Sequence, residues 1–372
     1  MTLSIFGYRG YSANLMFNTI KKDILNKNIS ILKKIKLWRK GFSATRATIY
    51  NINPANCHLQ MSDFDYFKLH PINGKYSRWI DDKLLIKYIL SPFSEYLPKY
   101  FFQIREGEIL KLPDCPNDIT TDLEGITKLL KREKILALKK ISGSLGKGFY
   151  KIKIDNGIVI NDKTIISDNL NDFIKNLNEY LITEFLISHG KIRKIYSKTA
   201  NTLRVLIIKD KNKKPQITGN FMRYGTKYSG LEENSAAGTI FAKVDIEKGI
   251  VIDPKRVINN KIERLEFHPD TKENLKIIIP YWKEIKEVLL NISEYIPQLE
   301  YMGFDIIITD NSFKIIEINS LSSLSFLPYY FPHFQDKYSK EFFIRKFKEN
   351  PKKYKRILKI LEKESKNKEL FS

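Results

Sequence analysis

Asp305, Glu317 and Asn319 are the residues of this chain whose types and spacing most directly imply chemistry. They lie in Met302-Gly-Phe-Asp-Ile-Ile-Ile-Thr-Asp-Asn-Ser-Phe-Lys-Ile-Ile-Glu-Ile-Asn-Ser320, which reads as strands 305–309 and 313–318 around the turn-rich Asp310-Asn311-Ser312. Side chains alternate faces along a strand, so Glu317 and Asn319 point one way and Ile316 and Ile318 the other. Closing the hairpin brings Asp305 beside that polar pair. Two carboxylates and an amide then offer oxygen ligands of the kind hard divalent cations take, usually together with the phosphate oxygens of a nucleotide. An ordinary hairpin with one solvated polar face fits the same pattern.

A second segment, Lys139-Lys140-Ile-Ser142-Gly143-Ser144-Leu-Gly146-Lys147-Gly148, leaves one strand and enters another. Glycines let backbone N–H groups approach phosphate while the lysines supply charge. The segment is not a P-loop, because Gly148 and a strand follow where Ser/Thr and a helix would be needed. A plain Gly-rich turn is the competing reading.

Several elements must position these groups. Apolar residues from Ile20 to Leu37 recur every three to four positions, predicting helix over 12–40. The stretch to about 75 is aromatic and turn-rich. Asp81-Asp82-Lys83 opens an acid-capped helix that ends before Ser91-Pro92. Strands are expected at 100–104, 134–139, 149–154, 180–185, 202–208, 216–223 and 238–244. Helices are expected at 122–132, 169–180 and 271–292, with a basic helical tail from about 335 broken at Pro351. Short turns between strands outnumber βαβ units, which gives an α+β plan. The expected units are a basic N-terminal region (1–75), a connecting segment (76–120), a lid-like subdomain (121–190), a core carrying the hairpin (191–332) and the tail (333–372).

Length and composition bound the function. The 372 residues are 42% hydrophobic and 28% charged, enough to fill real cores. Cys57 and Cys115 stand far apart without His or Cys neighbours, against a disulfide framework or a zinc site and in keeping with a reducing cytosol. The first residues lack the pattern of a signal peptide, and no apolar run is long enough to cross a bilayer. Net charge is +22, concentrated at the ends: residues 21–46 carry nine Lys/Arg against Asp23 alone, and residues 336–372 carry thirteen against six acids. Such ends suit an anionic polymer or lipid surface, although biased composition would produce them too. A cytoplasmic protein, at most peripheral at the inner face of a membrane, is expected.

The order of the pieces resembles the ATP-grasp superfamily, over roughly residues 80–325. A Lys-bearing strand enters a Gly-rich hairpin; a strand ending in Glu184 follows, then a β-rich region with arginines, then Asp305…Glu317-Ile-Asn319. Asn201-Thr-Leu-Arg204-Val, Met222-Arg223-Tyr-Gly and Asn234-Ser-Ala-Ala-Gly238-Thr-Ile look similar to the branch associated with sugar transfer, which includes teichuronopeptide-synthesis proteins. The resemblance implies two α+β subdomains clasping ATP. Lys83 and Lys139 would contact phosphates, together with Ser142, Gly143, Ser144, Gly146, Lys147 and Gly148 of the loop. Glu184, Phe185 and Leu186 would form the hinge that reads adenine. Asp305, Glu317 and Asn319 would hold one or two Mg²⁺ ions, with Mn²⁺ as a substitute.

Several members of that superfamily carry an Arg two residues before the metal-binding Asp. Here that position is Gly303, and Arg204 and Arg223 are the candidates for the missing catalytic charge, a structural ion pair being their bland alternative. His189 reads as a surface-turn residue, and His268 and His333 have no evident partners. The implied reaction is ATP-dependent amide formation between a carboxylate and an amine, the acceptor being an anionic glycan or sugar precursor. Contact with a membrane or with glycan-assembly enzymes fits the basic ends, and no specific nucleic acid is expected. The same scaffold would serve a kinase acting on a hydroxyl. A non-catalytic protein binding nucleic acid or anionic membrane through its ends is the third reading.

Overall fold

The computed structural model describes residues 10–142, 148–155, 157–161, 163–165, 167–229, 238–322 and 327–369. Two seven-stranded antiparallel sheets organise them. The first comprises β1 (Tyr100–Arg105), β2 (Glu108–Lys111), β3 (Ile135–Lys140), β4 (Tyr150–Ile154), β5 (Ile158–Ile160), β6 (Lys163–Ile165) and β7 (Tyr180–Glu184). Its spatial order is β2-β1-β7-β3-β4-β5-β6. The second comprises β8 (Thr202–Lys209), β9 (Pro215–Tyr224), β10 (Ile240–Val244), β11 (Val251–Ile258), β12 (Lys261–Arg264), β13 (Tyr301–Ile308) and β14 (Phe313–Asn319), in the order β12-β11-β10-β9-β8-β13-β14.

Amphipathic helices cover the sheets. On helix Leu123–Glu133 the residues Ile126, Leu129 and Leu130 are buried and pack with Leu136, Leu138 and Ile182 of the first sheet. Helix Trp282–Tyr295 presents Ile285, Leu289 and Ile292 to Leu203, Val205, Phe304 and Ile306 of the second. Both faces of β8 and β13 are buried, so these strands read as continuous apolar runs broken by a few charges. The opposite face of the second sheet is apolar at one end, with Leu206, Ile208, Phe221, Phe241 and Tyr301. Phe342, Phe343, Phe347 and Ile357 from helices Lys337–Lys348 and Lys355–Glu369 dock there, so the apolar stripe of the basic tail belongs to the core.

Local chemistry moved two helix boundaries. The stretch 12–40 forms two helices, Gly10–Leu25 and Ile31–Arg39. Asn26 Oδ1 accepts from the Asn28 N–H (3.1 Å) between them, and Ser30 caps the second by accepting from the Lys33 N–H. The helix expected over 271–292 begins only at Trp282. The preceding chain bonds instead to the 249–251 segment, with Val251 N–H donating to the Ile277 carbonyl and Ile279 N–H to the Gly249 carbonyl (both 2.8 Å). Pro280 also steers the residue before it away from helical backbone.

His70 and His333 are buried beside Tyr66, where the tail meets the second sheet. Burial pushes the His70 pKa down to about 3, against the pull of its bond to the Tyr66 carbonyl (2.8 Å). Burial likewise lowers His333 to about 3, with the charges of Arg46 and His70 acting in the same direction. An unfolded His takes up its proton near pH 6.5, whereas these two stay neutral in the fold until about pH 3. Their contribution is therefore intact above about pH 6.5 and declines as the pH falls toward 3, by about 1.4 kcal/mol per pH unit for each ring. Urea unfolding at pH 7 and pH 5 should show a stability drop of about 4 kcal/mol from the pair. His333→Phe should remove about half of it, and a drop that this variant leaves unchanged would place the acid sensitivity elsewhere.

Candidate active site

The charged end of the same sheet face holds the sequence-predicted residues. Strand register puts Arg204 of β8 opposite Asp305 of β13, and Asp305 opposite Glu317 of β14, so three ionisable side chains form a row across three strands. Arg223 of β9 reaches into the row from beside Thr202. Asp305 is its centre. Its Oδ1 accepts from Arg204 Nε (2.7 Å) and Arg223 Nη2 (2.7 Å), and its Oδ2 accepts from Asn319 Nδ2 (3.2 Å). Arg223 also donates through Nε to Thr202 Oγ1 (2.9 Å). Asp305 and Arg204 are both more than nine-tenths buried, so each charge needs the other. A bulge between the pairs 305–317 and 306–315 leaves Ile316 without a partner and keeps Glu317 in register with Asp305.

Glu317 is engaged from the other side, where Lys83 Nζ donates to its Oε1 (3.0 Å). Lys83 opens helix Lys83–Ile89, whose N-cap is Asp82, accepting from the Leu84 and Leu85 N–H groups (both 2.9 Å). The Lys83 N–H itself donates to the Ile141 carbonyl at the end of β3 (3.2 Å), and Leu84 packs with Tyr100, Ile141 and Leu181. One short helix thus touches both sheets. On the same side of the first sheet, Lys139 Nζ lies 4.8 Å from the centre of the Tyr100 ring. Burial, then the nearby Glu317 charge, raises the Tyr100 pKa. Lys139 and Glu317 therefore both lie near Tyr100, and Lys83 reaches Glu317.

Other expected residues fall nearby. Ser142 is exposed, and Gly148 takes a left-handed backbone (φ +82°) where a Cβ would run into the Tyr180 hydroxyl. Gly143, Ser144, Gly146 and Lys147 lie outside the described residues, as does the 234–237 part of the Asn234-to-Ile240 motif. Glu184 Oε1 accepts from the Lys99 N–H (2.9 Å), and Lys151 Nζ sits 5.2 Å from the centre of the Phe185 ring. The chain after Leu186 crosses to the hairpin, where the His189 N–H donates to the Ile308 carbonyl (2.7 Å). His189 caps helix Gly190–Ile195, and His268 bonds the Gly225 carbonyl (2.8 Å), so both have structural partners.

Two contributors were missed. Asp81 accepts from the Ser320 N–H (3.0 Å) and hydroxyl (2.6 Å) just beyond Asn319. Burial raises its pKa against those two bonds, and the Glu317 charge adds to the rise. In Asp81-Asp82-Lys83 the cap and the site residue are adjacent acids, and spacing alone does not tell them apart. The second is the niche at Gly303. A Cβ there would run into the Ser322 hydroxyl and come within 3.1 Å of Arg204 Nη1. Among the described residues, the buried Arg204 Nη1 has no hydrogen-bond partner. The space a side chain would fill at 303 thus admits the guanidinium of the neighbouring strand.

The donor set fits a hard divalent cation. Asp305 Oδ2, the Glu317 carboxylate and the Asn319 amide meet on one face, and two guanidiniums and an ammonium border them to offset added phosphate charge. Residues 66–329 match the model of the sugar-transfer associated ATP-grasp family, and the chain belongs to that family. Its fold is accordingly the ATP-grasp fold, built here as α+β with two antiparallel sheets.

No curated protein matches the chain. Among solved structures, it is similar to the ATP-grasp ligase PsnB in complex with a minimal precursor (13% identity, TM-score 0.34, covering 68% of this chain and 55% of that one). It is also similar to D-alanine–D-alanine ligase from Bacillus anthracis (12%, TM-score 0.38, 72% and 66%). A third similarity is to D-alanyl-alanine synthetase A from Vibrio cholerae (13%, TM-score 0.42, 73% and 65%). The chain spans about half the length of PsnB.

Gly303→Ala should force Ser322 and Arg204 aside, lowering the melting temperature by several degrees and ATP turnover at least about ten-fold. Wild-type turnover in this variant would show that the Arg204 position is not used.

Proposed function

We propose that this protein is an ATP- and Mg²⁺-dependent carboxylate–amine ligase. The observation that carries the reading is the Arg204–Asp305–Glu317 row, with Arg223, Asn319 and Lys83 closing on it. ATP is the co-substrate. Lys83 and Lys139 bind its phosphates, the 143–148 loop closes over them, and Glu184, Phe185 and Leu186 hold the adenine at the hinge. Asp305, Glu317 and Asn319 hold the metal, which when bound withdraws charge from phosphate oxygens.

An acceptor carboxylate oxygen attacks the γ-phosphorus and ADP leaves. The amine nitrogen then attacks the acyl carbon of the acylphosphate, the bond from carbon to the phosphate oxygen breaks, and the nitrogen loses a proton. Arg204 and Arg223 stabilise the charge that collects on the transferring phosphoryl group and on the tetrahedral oxyanion, already fixed by Asp305 and so needing little reorganisation. Exclusion of water by the loop protects the acylphosphate. No side-chain nucleophile is needed.

The acceptor in this reading is a uronic acid or amino-acid carboxylate of a cell-surface glycan or glycopeptide precursor, worked on beside glycan-assembly enzymes at the inner face of a membrane. The family's association with sugar transfer and the +22 net charge support it. ADP release measured against a panel of uronic acids, amino acids and amines should rise with one matched pair. Hydroxylamine should then trap a hydroxamate in place of the amide. Glu317→Gln should lower that turnover by at least about a hundred-fold while far-UV circular dichroism stays unchanged. A stable phosphoester product would identify a kinase instead, and ATP turnover indifferent to Glu317→Gln would remove the hairpin from the chemistry.

A further inference from the structure

Large apolar side chains exposed among the described residues are not spread evenly. Six of seventeen fall between residues 17 and 35: Phe17, Ile24, Leu25, Ile31, Leu32 and Ile35. Leu25 and Leu32 are 68% and 78% exposed. Helical spacing puts Phe17, Ile24 and Leu25 on one side of Gly10–Leu25, and Ile31, Leu32 and Ile35 on one side of Ile31–Arg39. Five of the six flank the turn between the helices, so they form the tip of a helical hairpin.

The tip is held firmly. Buried Asp23 accepts from Trp38 Nε1 (2.8 Å), the Ser43 hydroxyl (3.0 Å) and the N–H groups of Ala44 (2.6 Å) and Thr45 (2.8 Å). Lys34 is buried and donates to the Ile24 carbonyl (3.1 Å), a cation at a helix C-terminus. Around the tip stand Lys21, Lys22, Lys27, Lys33 and Lys36, with Arg39 and Lys40 at the far end of the second helix, all exposed, while the one acid between 21 and 40 is the buried Asp23.

We propose that this hairpin tip docks the protein on an anionic lipid surface, its aliphatic side chains entering the headgroup boundary and its lysines meeting the lipid charges. The two halves of the pattern suit that occupant together. Aliphatic side chains gain by leaving water at the acyl boundary, and the flanking cations gain from anionic headgroups within a Debye length. Nucleic acid would satisfy the lysines but leave Leu25, Leu32 and Ile35 in water. No helix among the described residues is long and apolar enough to cross a membrane, so the contact is a surface one. The proposal stands on the hairpin and is independent of the ligase reading.

Flotation of the full chain with vesicles of phosphatidylcholine and phosphatidylserine (7:3) tests it, with pure phosphatidylcholine vesicles as reference. The expected result is at least ten-fold greater partition onto the anionic vesicles, falling several-fold between 0.1 and 0.5 M NaCl. Leu25→Ser/Leu32→Ser/Ile35→Ser should abolish partition while ATP turnover in solution is unchanged, and Lys27→Glu/Lys33→Glu should weaken it by about an order of magnitude. Equal partition onto both vesicles, partition onto neither, or partition that survives the triple substitution would overturn the proposal. So would a dimer, seen by light scattering, that the triple substitution converts to monomer, since that result assigns the tip to a second copy of the chain.

Discussion

The carboxylate of Asp305 is the constraint on which the functional end of the second sheet depends. It lies on β13, a strand buried on both faces, and neutralises guanidiniums arriving from β8 and β9. Stripping one partner from such a buried cluster costs on the order of 3–5 kcal/mol, because the remaining charge stays in a poorly solvated place. The register of three strands, the bulge at Ile316 and the missing side chain at 303 all serve to bring these groups to one point. Further out, Asn319 and Glu317 extend the cluster, and Lys83 ties it to the helix that also contacts the first sheet.

That arrangement separates two jobs within one sheet face. At one end, aromatic and aliphatic residues receive the C-terminal helices and supply stability by burial. At the other, charged residues hold one another by hydrogen bonds, and burial falls from Asp305 and Arg204 outward to Glu317 and Asn319. Arg204 stands at the boundary, close enough to Tyr66 and Tyr301 for its charge to pull their pKa values down against the rise that burial causes. Apolar packing thereby fixes an arginine whose head lies in the polar cluster.

Much of this was readable from residue types. Period-two alternation placed Asp305, Glu317 and Asn319 together, and two arginines on expected strands were natural companions for an acidic centre. The extent of the fold was harder to read. Strands β2 and β12 are four residues long, mostly exposed and rich in Lys, Glu and Arg, and β11 is interrupted by Asp253-Pro254, so they lack the apolar alternation that marks a strand. Helical spacing over 271–281 overstates the helix that begins at 282, because those residues spend backbone bonds on another segment. Asp81 was hidden by its neighbour, whose capping role explains an acid at the helix start well enough. The tail and the N-terminal helices look alike in composition, yet the tail packs its apolar stripe on the sheet, whereas the N-terminal pair buries Ala13 and Met16 and leaves Leu25, Leu32 and Ile35 exposed. Only the available partner surface decides between them.

The niche at Gly303 also bears on how such a sequence can change over time. A side chain at 303 would displace the Ser322 hydroxyl and crowd the Arg204 guanidinium, although 303 and 204 are about a hundred residues apart in the chain. Their substitution effects should therefore not add, and a route that moves the arginine from one strand to the other passes through an intermediate carrying either both side chains or neither. The location of that positive charge is thus set by a pair of positions together rather than by either residue alone.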